Sequence, residues 1–325
     1  MKQKIFAFGL GLFALFFAAS GHAAATNSFP NKTVRIVVPY PPGGVTDTQA
    51  RFVAQKLNEL WGQPVIVENK PGGNTIIATS HVLNSSAEPG YNLLISSMPL
   101  ILNPYMYESM PYDAKKEIAP VTLMSTVPGV VITAPQSGVN TLADLTEKAK
   151  STNEALNFGS AGIATFTHLS GELFSELAGI DFEHIAYQGS APAQQDLLGG
   201  RLDVMFDNGA LGLISSESVT PLAVTSSERL PWLPEVPTIA EQGYPDFHAE
   251  AWFGFFVPAN TPNDLIEKLS NDITRVLESE EAIDFFAQSG VLVEGGTPEK
   301  LDNYLQSEEK RWGDFVQRKN ITIDQ

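Results

Sequence analysis

The sequence predicts an α/β fold of two lobes joined as a hinged clamshell, in which each lobe is a mostly parallel sheet flanked by helices. Short β-branched segments alternate with amphipathic helical segments along most of the chain. This alternation is typical of parallel sheets that are covered by helices. The alternation also starts afresh near residue 127, and the length of 325 residues is enough for two domains.

The first set of segments begins with a predicted strand at residues 34–38, which ends in the loop Pro39-Tyr40-Pro41-Pro42-Gly43-Gly44. A helix follows, in which Thr46 is the expected N-cap of a capping box that Gln49 completes. Gly62 is expected to end this helix. The set continues with a strand at 65–67, a helix near 75–84 and a strand at 91–96.

The second set contains predicted strands at 130–132, 156–158, 182–187, 204–206 and 222–224, with helices at 141–150, before 178 and before Gly199. An apolar segment at 250–257 is interpreted as the return of the chain to the first lobe. Thr-Pro pairs at 261–262 and 297–298 predict the starts of two further helices. We therefore expect one lobe of residues 30–126 plus 252–325 and a second lobe of residues 127–251.

Composition excludes several functional classes. The 20 basic and 37 acidic residues give a net charge of −17, which repels phosphate backbones and argues against a nucleic-acid partner. The chain contains no cysteine, so disulfides, thiol nucleophiles and cysteine-ligated zinc are excluded. We expect neither a metal nor another cofactor.

Residues 1–25 have the organisation of a secretory signal peptide. Lys2 and Lys4 precede an apolar stretch at 5–19, and small residues allow cleavage after Ala23 or Ala25. The apolar stretch is shorter than the roughly 20 residues that a membrane-spanning helix needs. We therefore expect an exported, soluble protein.

The motifs of common hydrolases and nucleotide-binding enzymes do not occur in the sequence. It contains no G-x-S-x-G, no H-E-x-x-H and no P-loop. Folding could still bring Ser160, His168 and Asp207 together as a catalytic triad. An exported α/β hydrolase that uses Ser160 and His168 therefore stays open as an alternative.

Three predicted strands each end in a Gly-containing loop that opens a helix, at residues 40–44, 159–162 and 188–190. Free N–H groups at a helix start attract an anion without any basic side chain. Glycine allows a positive φ there, which we expect at Gly44, and a close approach to the ligand. Because ligands of such sheets bind at the carboxyl ends of strands, the loops predict an anion site. Ordinary strand-to-helix turns are the alternative.

Several single residues also admit two interpretations. His168 lies within the first turn of its helix, where a packed or capping role competes with a ligand contact. Asp207 follows a buried strand, where an Asx turn before Gly209 competes with a ligand contact. Asp47 stands in the first turn of a helix, where the helix dipole alone favours an acid. Tyr187 could belong to the core.

Many of these segments resemble the sequence signature of the Bug-type (TctC-like) solute receptors of tripartite tricarboxylate transporters. The similar segments follow one another in order and spacing: 37–44 with Thr46 and Asp47, 67–72, 111–113, 160–162 with Thr165 and His168, 171–174, 187–193, 196–200, 205–208, 222–226 and 236–238. They cover essentially the whole chain after the predicted signal peptide.

The resemblance implies a type II periplasmic-binding-protein-like clamshell that captures a small organic carboxylate in the periplasm and delivers it to membrane permease subunits. It implies no catalytic residue, and we expect a monomer. A carboxylate sensor that feeds a membrane signalling partner stays open as an alternative. The resemblance and the loops together point to a ligand site formed by Tyr40, Gly43, Gly44, Thr46, Asp47, Ser97, Ser160, Ala161, Gly162, Thr165, His168, Tyr187 and Asp207.

Two departures from the family signature concern the ligand. The loop after Pro71 is short and continues into Ile76 and Ile77, and Ile163 and Phe166 follow the Ser-Ala-Gly sequence. Both departures would make the cleft narrower or more apolar. They favour an aliphatic or aromatic mono- or dicarboxylate over a tricarboxylate.

Overall fold

The computed structural model describes residues 29–323 except 86, 153 and 188. Its strands form two sheets, each flanked by helices, as expected for a two-lobed α/β fold. The predicted signal peptide at residues 1–25 lies outside the described residues.

The first sheet has six strands. Numbered in chain order, they are β1 (Val34–Val38), β2 (Val65–Asn69), β3 (Asn92–Ser96), β4 (Ile118–Pro128), β10 (Glu250–Pro258) and β11 (Leu292–Val293). Their order across the sheet is β11-β4-β10-β3-β1-β2. The helices of this part of the chain are α1 (Val45–Trp61), α2 (Ile76–Asn84), α3 (Pro99–Met106), α4 (Ala114–Glu117), α9 (Asn263–Leu277), α10 (Glu280–Ala287) and α11 (Pro298–Arg318).

The second sheet has five strands, namely β5 (Val130–Thr133), β6 (Leu156–Ser160), β7 (Phe182–Ala186), β8 (Val204–Asp207) and β9 (Thr220–Val224). Their order is β7-β6-β8-β5-β9. The helices between these strands are α5 (Leu142–Ser151), α6 (Phe166–Ala178), α7 (Ser190–Leu198) and α8 (Leu211–Ser215).

Both sheets are mixed, so the expectation of mostly parallel sheets is wrong in this respect. Only β1, β2 and β3 are parallel in the first sheet, and only β6, β7 and β8 in the second. The other pairings are antiparallel. The route of the chain explains the pairing of β4 with β10, because β4 leads from the first sheet into the second and β10 leads back, so that the two neighbouring strands run in opposite directions.

The two sheets are joined at Gly129, a single residue between β4 and β5. Its N–H group donates to Thr225 Oγ1 at 2.7 Å, which fixes the link to the chain that follows β9. The returning strand β10 is paired with β4 as far as the opposition of Glu250 and Pro128. The two passages of the chain between the sheets therefore run side by side.

Some of the observed helix starts agree with the N-caps that the sequence predicts, and others differ from them. Thr297 caps α11 by accepting the Lys300 N–H at 3.1 Å, as expected. Helix α1 instead begins after Gly44, so that Thr46 lies in its first turn and is not its N-cap. Helix α9 follows Pro262, and the hydroxyl of Thr261 has no partner among the described residues.

We expect Gly171→Ala to lower the free energy of unfolding by about 1–2 kcal/mol, because a methyl group would overfill a packed core. A Cβ atom at Gly171 in α6 would lie 2.4 Å from two ring atoms of Phe158, and Phe158 is fully buried. Urea unfolding measures the change.

Gly212→Ala in α8 is the matched control. Apart from its chain neighbours and the backbone of its own helix, no atom of the described residues lies within 4 Å of the Cβ position of Gly212, and alanine is the better helix former. Equal stability of the two variants would contradict the close packing of α6 on β6.

Candidate functional site

The first part of the candidate site lies at the carboxyl ends of β1 and β3, which are parallel neighbours. Tyr40 follows β1 and Ser97 follows β3, and their hydroxyl oxygens are 2.6 Å apart. Burial raises the pKa of Tyr40, so its hydroxyl keeps its proton at neutral pH. The pair places two hydroxyl groups at the edge where ligands bind in α/β sheets.

The loop between β1 and α1 is held by the carboxylate of Asp47, which is 3% exposed. One oxygen of Asp47 accepts the N–H of Gly43 at 2.9 Å and Nε of Arg51 at 2.9 Å. The other oxygen accepts Nδ2 of Asn69 at 2.9 Å, and this amide also donates to the carbonyl of Tyr40. The buried carboxylate of Asp47 therefore fixes the conformation of the loop through these hydrogen bonds.

Burial alone would raise the pKa of Asp47, but the hydrogen bonds from Arg51, Gly43 and Asn69 outweigh it and hold the pKa below its usual value. The positive φ of this loop is at Gly43, with 88°. Gly44 is extended, with a φ of −78°, so the expected positive φ at Gly44 is wrong. The first N–H groups of α1 have no acceptor inside the helix, and the exposed Gly44 stands directly before them.

The second part of the site is the loop between β6 and α6. Thr167, in the first turn of α6, accepts the N–H of Ala161 at 2.8 Å. Its hydroxyl is also 2.8 Å from that of Thr165, which donates to the carbonyl of Gly162 at 2.7 Å. Gly162 has a φ of 139°, and a Cβ atom there would lie 3.4 Å from the carbonyl of Tyr187. These bonds fold the loop around the start of α6.

Two histidines lie behind this loop. Nε2 of His184 is 2.7 Å from Oγ of the fully buried Ser160, and Nδ1 of His168 accepts the N–H of Ala164 at 3.0 Å. The two rings are stacked, with centroids 3.9 Å apart. The structure argues against the alternative of a catalytic triad of Ser160, His168 and Asp207, because the histidine bonded to Ser160 is His184.

The third part of the site is the loop before α7, which lies against the second loop. The N–H of Gly189 donates to the carbonyl of Ala161 at 3.1 Å, and the N–H of Tyr187 donates to the carbonyl of Ser160 at 3.0 Å. The hydroxyl of Tyr187 donates to Asp196 at 2.7 Å. Because β6 and β7 are parallel neighbours, the two loops form one surface.

Asp207, at the end of β8, is fully buried. One of its oxygens accepts the Ser190 hydroxyl at 2.8 Å and the Gly209 N–H at 3.2 Å, and the other accepts Gln194 Nε2. The bond from Gly209 is the Asx turn that the sequence suggested. Asp207 thereby ties β8 to the start of α7.

The basic side chains that lie closest to the Gly loops along the sequence are paired with acids. Lys70 lies 2.8 Å from Glu68, and Arg201 is paired with Asp196. Arg51 is committed to Asp47, as described above. An anion at these loops would therefore be attracted by backbone N–H groups and hydroxyls.

The two sequence departures lie in different surroundings. Ile163 is 42% exposed on the second loop, and Ile77 is 51% exposed next to Gly72. Phe166 is 6% exposed, and its ring lies 2.8 Å from a Cβ position at Gly129. The expectation that Phe166 adds apolar surface to the cleft is therefore wrong, because Phe166 packs inside near the link between the sheets.

Sequence reasoning missed several residues that shape the loops: Arg51, Asn69, Thr167, His184, Ser190 and Gln194. The four-residue spacing of Asp47 and Arg51 on a helix was a readable signal. The contacts of His184 and Ser190 depend instead on which strands are neighbours. No pattern within one segment predicts them.

Two general features of the described part of the chain bear on function. None of its helices is both long and apolar enough to cross a membrane. Within the same residues, no group of three His, Cys, Asp or Glu side chains is arranged to hold a metal ion.

The fold and these loops define a two-lobed solute-binding receptor. The family model described as "Tripartite tricarboxylate transporter family receptor" matches residues 49–321. BugT of Bordetella pertussis is 34% identical over 313 residues, which cover 94% of this chain and 96% of BugT.

Two solved structures from Rhodopseudomonas palustris are also similar. Rpa4515 with adipate has a TM-score of 0.84 and 31% identity, with 90% of this chain and 99% of that chain covered. MatC with bound malate has a TM-score of 0.77 and 29% identity, with 89% and 100% covered. The chain belongs to the tripartite tricarboxylate transporter receptor family. Because this is a family of solute-binding receptors, the chain is a binding protein and not a hydrolase.

We expect Asp47→Ala to lower the free energy of unfolding by about 1–3 kcal/mol, because it leaves buried donors without their acceptor. The lowered pKa of Asp47 means that its contribution is complete above its ordinary pKa and disappears as the pH falls through its lower folded-state value. Urea unfolding of both proteins between pH 7 and pH 3 should therefore show a difference that shrinks at the acid end.

Asp302→Ala, at an exposed position in α11, serves as the control and should change stability by less than about 0.5 kcal/mol. An Asp47→Ala protein as stable as this control would show that Asp47 does not support the loop.

Proposed function

We propose that this protein is a periplasmic receptor that closes its two lobes around a small organic carboxylate and delivers it to the membrane permease of a tripartite tricarboxylate transporter. The observation that carries the proposal is the pair of helix starts, α1 and α6, each preceded by a Gly loop at the end of a strand in a different sheet. A carboxylate between them would receive backbone N–H groups from both lobes. Residues 1–25 are proposed to direct export and to be removed.

The proposed ligand site comprises the thirteen residues that the sequence suggested, in two roles. Tyr40, Ser97 and the N–H groups beyond Gly44 and Thr165 are proposed to face the carboxylate. The buried side chains of Asp47, Ser160 and Asp207 support the loops, and this division follows from the hydrogen bonds that already occupy those side chains.

The proposed ligand is an aliphatic or aromatic mono- or dicarboxylate. Support comes from the exposed Ile163 on the second loop and from the pairing of Lys70 and Arg201 with acids, which leaves no free cation at the described loops for further carboxylates. Adipate and malate, the ligands of two related structures, are the first compounds to test, with citrate and benzoate beside them.

Calorimetry with these acids should detect saturable binding without turnover, and variants should locate the contacts. A hydrogen bond to a charged group contributes about 1.5–3 kcal/mol, so a lost bond weakens binding about 10- to 150-fold. We expect Thr165→Ala to fall in that range, because it removes the hydroxyl that folds the second loop and so displaces an N–H group proposed to donate to the carboxylate. Gly43→Val should weaken binding at least as much, because valine is strained at a φ of 88°.

Thr165→Ser keeps the hydroxyl and should bind like the wild type. Lys70→Ala and Arg201→Ala should change the affinity less than Thr165→Ala. Loss of binding in the Lys70 or Arg201 variant, with full binding by Thr165→Ala and Gly43→Val, would mean that a side-chain ion pair holds the carboxylate.

Closure requires the lobes to move as units, which we propose to be residues 30–126 plus 252–325 and residues 127–251. Support comes from the strands, since those of one sheet come from 34–128 and 250–293 and those of the other from 130–224. Adipate should reduce the radius of gyration measured by X-ray scattering. Identical curves with and without saturating ligand would argue against a hinge.

Spin labels give a second measure, because the chain has no cysteine of its own. Labels at Ser109→Cys and Glu183→Cys, in different lobes, should change their distance when adipate binds. Labels at Ser109→Cys and Glu59→Cys, within one lobe, should keep theirs.

A further inference from the structure

The strongest feature outside the direct ligand contacts is the stacked histidine pair behind the second loop. His168 comes from α6 and His184 from β7, and their rings are inclined by only 20°. The ring of Phe158 lies 4.8 Å from that of His184 on the same sheet. His168 is buried. Both imidazoles form hydrogen bonds with the loop at residues 160–165.

His184 acts at the start of this loop. Ser160 Oγ accepts the Gly162 N–H at 3.1 Å and lies 3.1 Å from the Gly162 carbonyl. A neutral His184 with its proton on Nε2 would donate to Ser160, whose own proton then goes to the Gly162 carbonyl. This arrangement satisfies the Ser160 hydroxyl together with the N–H and the carbonyl of Gly162.

His168 acts at the end of the loop. Ala164 has a φ of 58°, a left-handed conformation that a non-glycine residue adopts only when its surroundings hold it there. The N–H of Ala164 donates to Nδ1 of His168 at 3.0 Å, which requires that this nitrogen carry no proton. A neutral His168 therefore stabilises the turn that leads into α6.

We infer that His168 and His184 are a neutral pair of positioning residues, which hold residues 160–165 in the conformation that opens the start of α6 to a carboxylate. The carboxylate part rests on the proposed function, whereas the loop part rests on the geometry alone. Neither histidine is required to touch the ligand.

The charged groups near the pair leave it neutral. Glu172 Oε1 lies 3.9 Å from Nε2 of His168, and Lys319 lies 3.5 Å from the other oxygen of Glu172. Glu183, beside His184 on β7, is exposed. Burial lowers the pKa of His168 to about 3, with a contribution from His184, and burial lowers the pKa of His184 to about 4.

Removal and imitation of each ring nitrogen test the inference. Leucine at either position keeps apolar volume without a hydrogen bond, whereas asparagine can imitate Nδ1 of His168 and glutamine Nε2 of His184. We expect His168→Leu and His184→Leu to weaken adipate binding about tenfold or more, or about 1.4 kcal/mol. His168→Asn and His184→Gln should stay within about threefold of the wild type.

His81→Leu, a half-exposed position in α2, is the control and should bind adipate like the wild type. Hydrogen exchange in the ligand-free protein provides a readout that does not depend on binding. The Ala164 N–H should exchange about tenfold faster in His168→Leu and near the wild-type rate in His168→Asn.

The pH dependence of folding gives an independent signature. Both histidines have lower pKa values in the folded protein than the ordinary 6.5, so the unfolded chain takes up their protons first as the pH falls. The free energy of unfolding should therefore decrease between pH 7 and pH 4. The slope should be smaller in the His168→Leu/His184→Leu double variant, as urea unfolding at several pH values would show.

Three results would overturn the inference. Each of them is sufficient: wild-type affinity in both leucine variants, unchanged exchange of the Ala164 N–H in His168→Leu, or a nitrogen-15 NMR titration that finds either ring protonated at pH 7. A wild-type protein that binds no acid of the panel would instead contradict the proposed function, and the exchange and NMR results would still decide the role of the histidines.

Discussion

The free N–H groups at the first turns of α1 and α6 are the feature on which the rest of the proposed ligand site depends. Such groups attract an anion only when the preceding loop does not cover them with its own acceptors. The polar groups of each loop must therefore form their hydrogen bonds with other parts of the protein. In the first loop, Asp47 accepts hydrogen bonds from the Gly43 N–H and from the Asn69 side chain. In the second loop, Ser160 is hydrogen-bonded to His184, and His168 accepts the Ala164 N–H.

This arrangement also reconciles a net charge of −17 with the proposed anionic ligand. The basic side chains near the loops are paired with acids, as Lys70 is with Glu68. Backbone dipoles act over short distances and keep their orientation, so they would attract the proposed carboxylate at the loops in a protein of acidic composition.

The route of the chain explains why the sheets are mixed. The strand–helix–strand segments from β1 to β3 and from β6 to β8 contain the parallel pairs, as the sequence indicated for β1, β2 and β3. The long strands β4 and β10 instead pass between the sheets and pair antiparallel with each other. Their burial on both faces removes the alternation of polar and apolar residues that marks a strand in sequence, and β4 was not recognised for this reason.

The sequence by itself determined the elements whose signals are local. Gly62 ends α1 with a φ of 64°, Thr297 caps α11, and the three Gly loops follow β1, β6 and β7 because strand propensity, turn residues and helix caps act within a few residues. Only the tertiary structure decided the partners of the buried polar groups. Ser160 meets His184 and Phe166 packs near Gly129 because strand order and packing between distant segments place them there, and no spacing along the chain encodes that order.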